Sequence, residues 1–125
     1  MKQVIFSKEA PAAVGPYSHA IDCGNLVFLS GQVPLDPATG APVEATIQAQ
    51  TTQSLNNLKA ILAQAGATMD NVVKTTVFLK DMEDFAEMNR IYQTFFAADC
   101  PARSAVQVGR LPKDVLVEIE AIAAL

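Results

Sequence analysis

A chain of 125 residues, 50% of them hydrophobic, can bury one core but is short for two ordinary domains, so a single domain over residues 1–125 is expected. Nine Lys and Arg against thirteen Asp and Glu give a formal net charge of -4, which withholds the basic stripe of a phosphate-tracking surface and argues against nucleic acid as the main partner. No apolar run reaches the roughly 18 residues that span a bilayer, MKQVIFSKEAPAAVG lacks the core and cleavage pattern of a signal peptide, and Cys23, Cys100 and the lone His19 form no zinc framework, so a cytoplasmic protein in a reducing setting with no membrane partner is expected.

Residues 2–6 read as a short strand, followed by SKEAPAAVGPYS, whose breakers predict an irregular loop. SHAIDC and LVFLSG flank Gly24-Asn25 and predict a β-hairpin. After the turn chemistry of PLDPATGAP, Ile47, Thr51, Leu55, Leu58, Leu62 and Ala65 recur every three or four residues, which predicts an amphipathic helix ending at Gly66. VVKTTVFL is β-branched and aromatic and reads as a strand inside the sheet. Phe85, Met88, Ile91 or Tyr92, and Phe95 return to helical spacing behind acidic Asp81, Glu83 and Asp84, predicting a second helix that stops before Pro101. The last strands are read as 103–108 and 115–123, separated by GRLPKD.

This order predicts an α+β domain, a mixed sheet with both helices on one face. Alternation along the last strand points Val115, Val117, Ile119, Ala121 and Ala123 one way and Leu116, Glu118, Glu120, Ile122 and Ala124 the other. Neither set is wholly polar, although the helices suffice for one face only. The bare face is therefore expected to pack against a second copy of the chain.

Within these strands, Arg103, Glu118 and Glu120 are the residues that need explaining. Arg103, Ala105 and Gln107 share one face of their strand, and Ser104, Val106 and Val108 share the other. If each strand turns its more apolar face to the helices, Arg103 emerges on the same sheet face as Glu118 and Glu120. The two glutamates, with Cα atoms about 6.6 Å apart, are placed to divide roles but not to share a proton. Spacing leaves two readings open. One is a structural ion pair in an oligomer interface. The other is a guanidinium seat for a small carboxylate, stiffened by Pro101, with a glutamate that orients and deprotonates water.

PARSAVQVGRLPKDVLVEIEAIA resembles the C-terminal signature of the RidA family, also called YjgF. APAAVGPYSHAI and SGQVPLDPATG resemble its N-terminal pattern, and KTTVFLKDMEDFAEMNRIY its middle segment. The resemblance runs in order along essentially the whole chain. It implies a chorismate-mutase-like fold assembled as a trimer, with three sites in the clefts between subunits. It also implies hydrolysis of 2-imino and enamine acids (2-aminoacrylate, 2-iminobutanoate, 2-iminopropanoate) to 2-keto acids and ammonia, without cofactor or metal.

By the same resemblance, Arg103 would hold the substrate carboxylate and Glu118 would position the attacking water, while Tyr17, Ser30, Gly31 and Ala105 would line the cleft. From the residues alone, Tyr17 is equally a loop aromatic packed at an interface, and Ser30-Gly31 a strand end or bulge where only small residues fit. Glu120 is assigned a supporting or solvated role, and His19, a loop histidine with no carboxylate to orient it, is left out of the site. The chain departs from the family pattern at Ala105, where many members carry cysteine, which bears on pocket shape and not on a chemistry that needs no thiol. Two further activities stand against deamination, namely an endoribonuclease or translation inhibitor, and a module that binds 2-keto acids without turnover.

Overall fold

The computed structural model describes residues 2–125. Among them, the elements in chain order are β1 (Gln3–Ile5), β2 (Ala20–Asp22), β3 (Leu26–Gln32), α1 (Ile47–Gln64), β4 (Val72–Leu79), α2 (Phe85–Phe95), β5 (Ala102–Gln107) and β6 (Val117–Ala124). The strands form one sheet in the order β1-β2-β3-β6-β4-β5. Every neighbouring pair is antiparallel except β4 and β5, which run parallel, so the sheet is mixed as expected.

Local chemistry explains the element ends. Gly24 sits at φ 105 in the β2–β3 turn, a conformation open to glycine. Thr46 caps α1 by accepting from the Ala49 N–H at 3.1 Å. The helix closes at Gly66, φ 78, with the Gly66 N–H bonded to the Ala63 carbonyl and the Ala67 N–H to the Leu62 carbonyl at 2.9 Å, the two bonds of a Schellman end. Asp81 caps a short 3-10 turn, Met82–Asp84, that leads into α2. β6 begins two residues later than its apolar alternation suggests, because the Leu116 N–H leaves the sheet to bond the Gln50 side chain at 2.7 Å. β2 is likewise shorter than SHAIDC, its first two residues being taken up by the preceding loop.

Both helices lie on one face. There Leu55, Leu58, Ile61 and Leu62 of α1 and Met88 of α2 pack with Val27, Leu29, Val77, Leu79, Val117 and Ile119, all buried. This burial is the main stabilising contribution. On the opposite face direct cross-strand pairing aligns Val4, Ile21, Phe28 and Ile122 in a row over four strands. Val4 is 49% and Phe28 44% exposed, so within one chain the row is uncovered.

α1 also carries a buried polar stripe that fastens two segments. The Asn57 amide donates to the carbonyls of Val33 and Leu35 at 3.2 and 3.1 Å, and Gln50 holds Leu116 as described. The first segment follows β3 and the second precedes β6, so both frame the region where Glu118 emerges. Asn57→Ala is expected to leave the two carbonyls without this donor and to destabilise the protein by about 1–3 kcal/mol. A urea midpoint that falls at unchanged slope is the expected result.

Candidate functional site

The site begins with a mismatch between β3 and β6. Leu29 pairs with Ala121 and Gln32 with Ile119, so Ser30 and Gly31 together oppose the single residue Glu120. This is a β-bulge, a device that re-aims side chains. It keeps Leu29 and Gln32 buried on the helix face while opening space beside β6. The Glu118 side chain uses that space: a Cβ on Gly31 would overlap its carboxylate. Burial, and after it the charge of Glu120, pushes the Glu118 carboxyl up from its ordinary value. A carboxyl raised in this way, at the edge of a cleft, is a better proton acceptor than an ordinary carboxylate.

A cleft of about 460 Å³ opens beside it. Its walls come from the loop of residues 7–18 through Val14 and Tyr17, from the bulge, and from the turn carrying Lys113, with Glu118 and Glu120 also lining it. Tyr17 is 44% exposed. The Ser30 hydroxyl donates to the Ser18 carbonyl at 2.6 Å, so its proton is committed to holding the loop and only its lone pairs face other partners. On the turn, Lys113 and Asp114 take φ of 55 and 54, left-handed values that are costly for side chains with a Cβ. The Arg110–Asp114 pair, 2.9 Å apart, bridges that turn.

Arg103 lies elsewhere, and here the sequence-based expectation is corrected. The parallel register pairs Arg103 with Thr75, and Thr75 belongs to the helix face. Arg103 therefore lies on the face opposite Glu118 and Glu120 within one chain. Its guanidinium donates to the Asn89 Oδ1 at 2.7 Å and stacks 4.8 Å from the Tyr92 ring centroid and 5.5 Å from that of Phe85. Tyr92 is fixed in turn by a 2.7 Å hydrogen bond with Thr75. Burial raises the Tyr92 phenol from its ordinary value, which keeps it neutral beneath the cation. Among the described residues the ion pairs are Arg90–Glu87 and Arg110–Asp114, so Arg103 has no carboxylate partner. Ala105 follows two residues on, on the same face, partly buried against the core.

The structure thus groups Tyr17, Ser30, Gly31, Glu118 and Glu120 around one cleft and sets Arg103 and Ala105 apart from it. Asn89, Phe85 and Tyr92, which hold the guanidinium, and Thr75, which fixes Tyr92, were not singled out from sequence as site residues. Phe85 and Tyr92 read there as core positions of an amphipathic helix, and only their stacking with Arg103 separates them from that role. Gly31→Ala is expected to keep the fold, since Gly31 is not left-handed, and to push the Glu118 carboxylate out toward solvent. The Glu118 carboxyl should then titrate lower, toward its ordinary value, in carboxyl-carbon NMR. An unmoved titration would show that the glycine does not set its environment.

The endoribonuclease L-PSP family model matches residues 7–125. A RutC family protein of Pyrococcus horikoshii is 57% identical over 123 residues, covering 98% of each chain. A 2-iminobutanoate/2-iminopropanoate deaminase of Escherichia coli is 52% identical over 126 residues, again with 98% of each chain covered. Among solved structures, E. coli TdcF with bound serine superposes with a TM-score of 0.95 at 48% identity, covering 98% of each chain. With the match spanning nearly all of its length, and with its bulge, cleft and two-faced sheet in place, the chain belongs to the endoribonuclease L-PSP family, which also bears the RidA and YjgF names.

Proposed function

We propose that this protein hydrolyses 2-imino acids and their enamine tautomers to 2-keto acids and ammonia, at sites formed where two copies of a cyclic homotrimer meet. The observation that carries the reading is the placement of Arg103. It is a guanidinium held on two aromatic rings and one amide, without a carboxylate partner among the described residues, on the face away from the Glu118 cleft. A head-to-tail interface would bring Arg103 of one copy to the Glu118 cleft of the next, and repetition of that contact closes a ring. The uncovered apolar row from Val4 to Ile122 supplies a surface for such contact. The deaminase name of a relative 52% identical over nearly the whole chain supports the chemistry, and the serine bound to TdcF supports a small amino-acid-like ligand.

In this reading Arg103 seats the substrate carboxylate through paired N–H donors. The imine carbon is already electrophilic, so the site has to orient water and manage protons and needs no covalent nucleophile. Glu118, its carboxylate free of a positioning Cβ at Gly31, takes a proton from water as oxygen bonds to the imine carbon. The nitrogen of the tetrahedral adduct then takes back the proton held by Glu118 and receives the remaining hydroxyl proton as the C–N bond breaks, so that ammonia leaves, the C=O of the keto acid forms and Glu118 is restored. Glu120 raises the affinity of Glu118 for that proton, Tyr17 and the bulge bound the cleft, and Ala105 leaves room beside Arg103.

With an imino acid generated in situ by a threonine dehydratase, the wild type should accelerate keto-acid release, and Arg103→Ala or Glu118→Gln should abolish the acceleration. RNA cleavage that persists in highly purified Arg103→Ala protein at physiological salt would favour the endoribonuclease reading instead. Mixing the two inactive variants tests the shared site directly. After unfolding and refolding together in equal amounts, about a quarter of the sites regain an intact Arg103 and an intact Glu118, and activity should return in proportion. No recovery from a correctly assembled mixture would place both residues in one chain's site. Glu120→Gln removes a like charge that raises Glu118, so the acid limb of the turnover profile should move to lower pH.

A further inference from the structure

The loop of residues 7–18 has no regular structure, yet it supplies the cleft wall that contains Val14 and Tyr17. What holds it is a ring rather than a strand. His19 is 3% exposed. Its Nδ1 accepts from the Ser7 N–H at 3.0 Å, and its Nε2 lies 2.7 Å from the Pro11 carbonyl. A backbone N–H can only donate and a carbonyl can only accept, so Nδ1 presents a lone pair and Nε2 carries the proton. The one imidazole therefore binds the start of the loop and its first bend, from a residue that stands at the loop's end. Two further bonds tie that end to the bulge. The Ser30 N–H donates to the His19 carbonyl at 2.9 Å, and the Ser30 hydroxyl donates to the Ser18 carbonyl. Phe6 packs against the imidazole in a tilted arrangement, with ring centroids 5.2 Å apart and planes at 53°.

We infer that His19 is a positioning residue for the cleft, fixing the loop so that Tyr17 stands at a set distance across from Glu118. It does not touch the reacting atoms. Its two ring nitrogens are both occupied by backbone, which leaves none for a substrate proton. The imidazole suits the task because it offers one acceptor and one donor on a rigid plate, directed away from each other. Leucine would fill the same space and leave the Ser7 N–H and the Pro11 carbonyl without partners. Glutamine keeps one acceptor and a donor at similar reach, so it is the conservative replacement.

The consequence for catalysis rests on the function proposed above, and the structural part can be tested apart from it. His19 is the only histidine in the chain, so nitrogen NMR of ring-labelled protein gives one unambiguous pair of signals. They should show an acceptor Nδ1 and a protonated Nε2, and the opposite tautomer would overturn the inference. Hydrogen exchange at the Ser7 amide should accelerate at least about tenfold in His19→Leu and stay near the wild-type rate in His19→Gln. In the imino-acid assay, His19→Leu should raise KM about tenfold with kcat changed less than about twofold, because Arg103 and Glu118 keep their places. His19→Gln should restore KM. A loop that exchanges faster while KM stays unchanged, or a glutamine variant that behaves like leucine, would reduce His19 to a packing residue. If the wild type shows no turnover, the function fails, and exchange at Ser7 with the affinity for 2-ketobutyrate across the same variants decides the inference. If His19→Leu does not fold, the tautomer and the glutamine variant decide it.

Discussion

The site depends on the pleat of one strand. β6 is hydrogen-bonded on both sides, to β3 and to β4, and one of its faces is sealed by α1. Val117, Ile119, Ala121 and Ala123 are at most 3% exposed, so the hydrophobic effect fixes which residues point down. A slip of one residue would drive Glu118 and Glu120 into an apolar core, at a cost no local contact could offset. The carboxylates are thus placed by the burial of their neighbours. The β3 bulge then makes a finer adjustment, because Gly31 leaves the volume that the Glu118 carboxylate occupies. Global packing chooses the face, and one missing methyl group chooses the position on it.

Arg103 obeys a different rule because β5 is the sheet edge. The expectation that the more apolar face meets the helices holds for strands covered by α1 but fails here, where Val106 is 44% exposed and Arg103 points toward α2. The helix meets the arginine with Phe85, Tyr92 and Asn89 rather than with aliphatic side chains. A guanidinium lays its stem and its flat face on such a surface while its edge stays in water. At a periphery of this kind a charged residue on the core side remains accessible, and counting apolar residues per face misassigns it.

Much of the architecture was readable for the same reason that it is stable. Apolar period and C-cap chemistry agree for α1, whose first apolar position Ile47 opens the helix and whose Gly66 end stands where the pattern places it. The β2–β3 turn follows from Gly24, and the two-faced character of β6 follows from alternation. The register was not readable: the pairing of Arg103 with Thr75 leaves no trace in local sequence, and the small residues Ser30-Gly31 suggest a strand end or bulge without showing that they oppose Glu120. The surroundings of Arg103 and the ring bonds of His19 were hidden likewise. A histidine with no carboxylate beside it in sequence looks incidental, and its two backbone partners, twelve and eight residues away, become visible only when the loop is folded.

The separation of the two charges gives the proposed assembly a chemical consequence beyond completing a pocket. In the single chain, burial and then the charge of Glu120 both raise the Glu118 carboxyl from its ordinary value. Among the described residues Arg103, on the other face, has no carboxylate partner. When a second copy brings its guanidinium to the cleft, the opposite charge favours the ionised carboxylate and lowers the proton affinity that burial had raised. The same contact that seats a substrate carboxylate therefore also opposes the rise that burial and Glu120 impose on Glu118. On this reading the chain alone holds the proton acceptor without a substrate seat, and the assembled site has both functions. That dependence follows from sheet topology, because no side-chain rotation carries Arg103 from the helix face of β5 to the opposite face of β6.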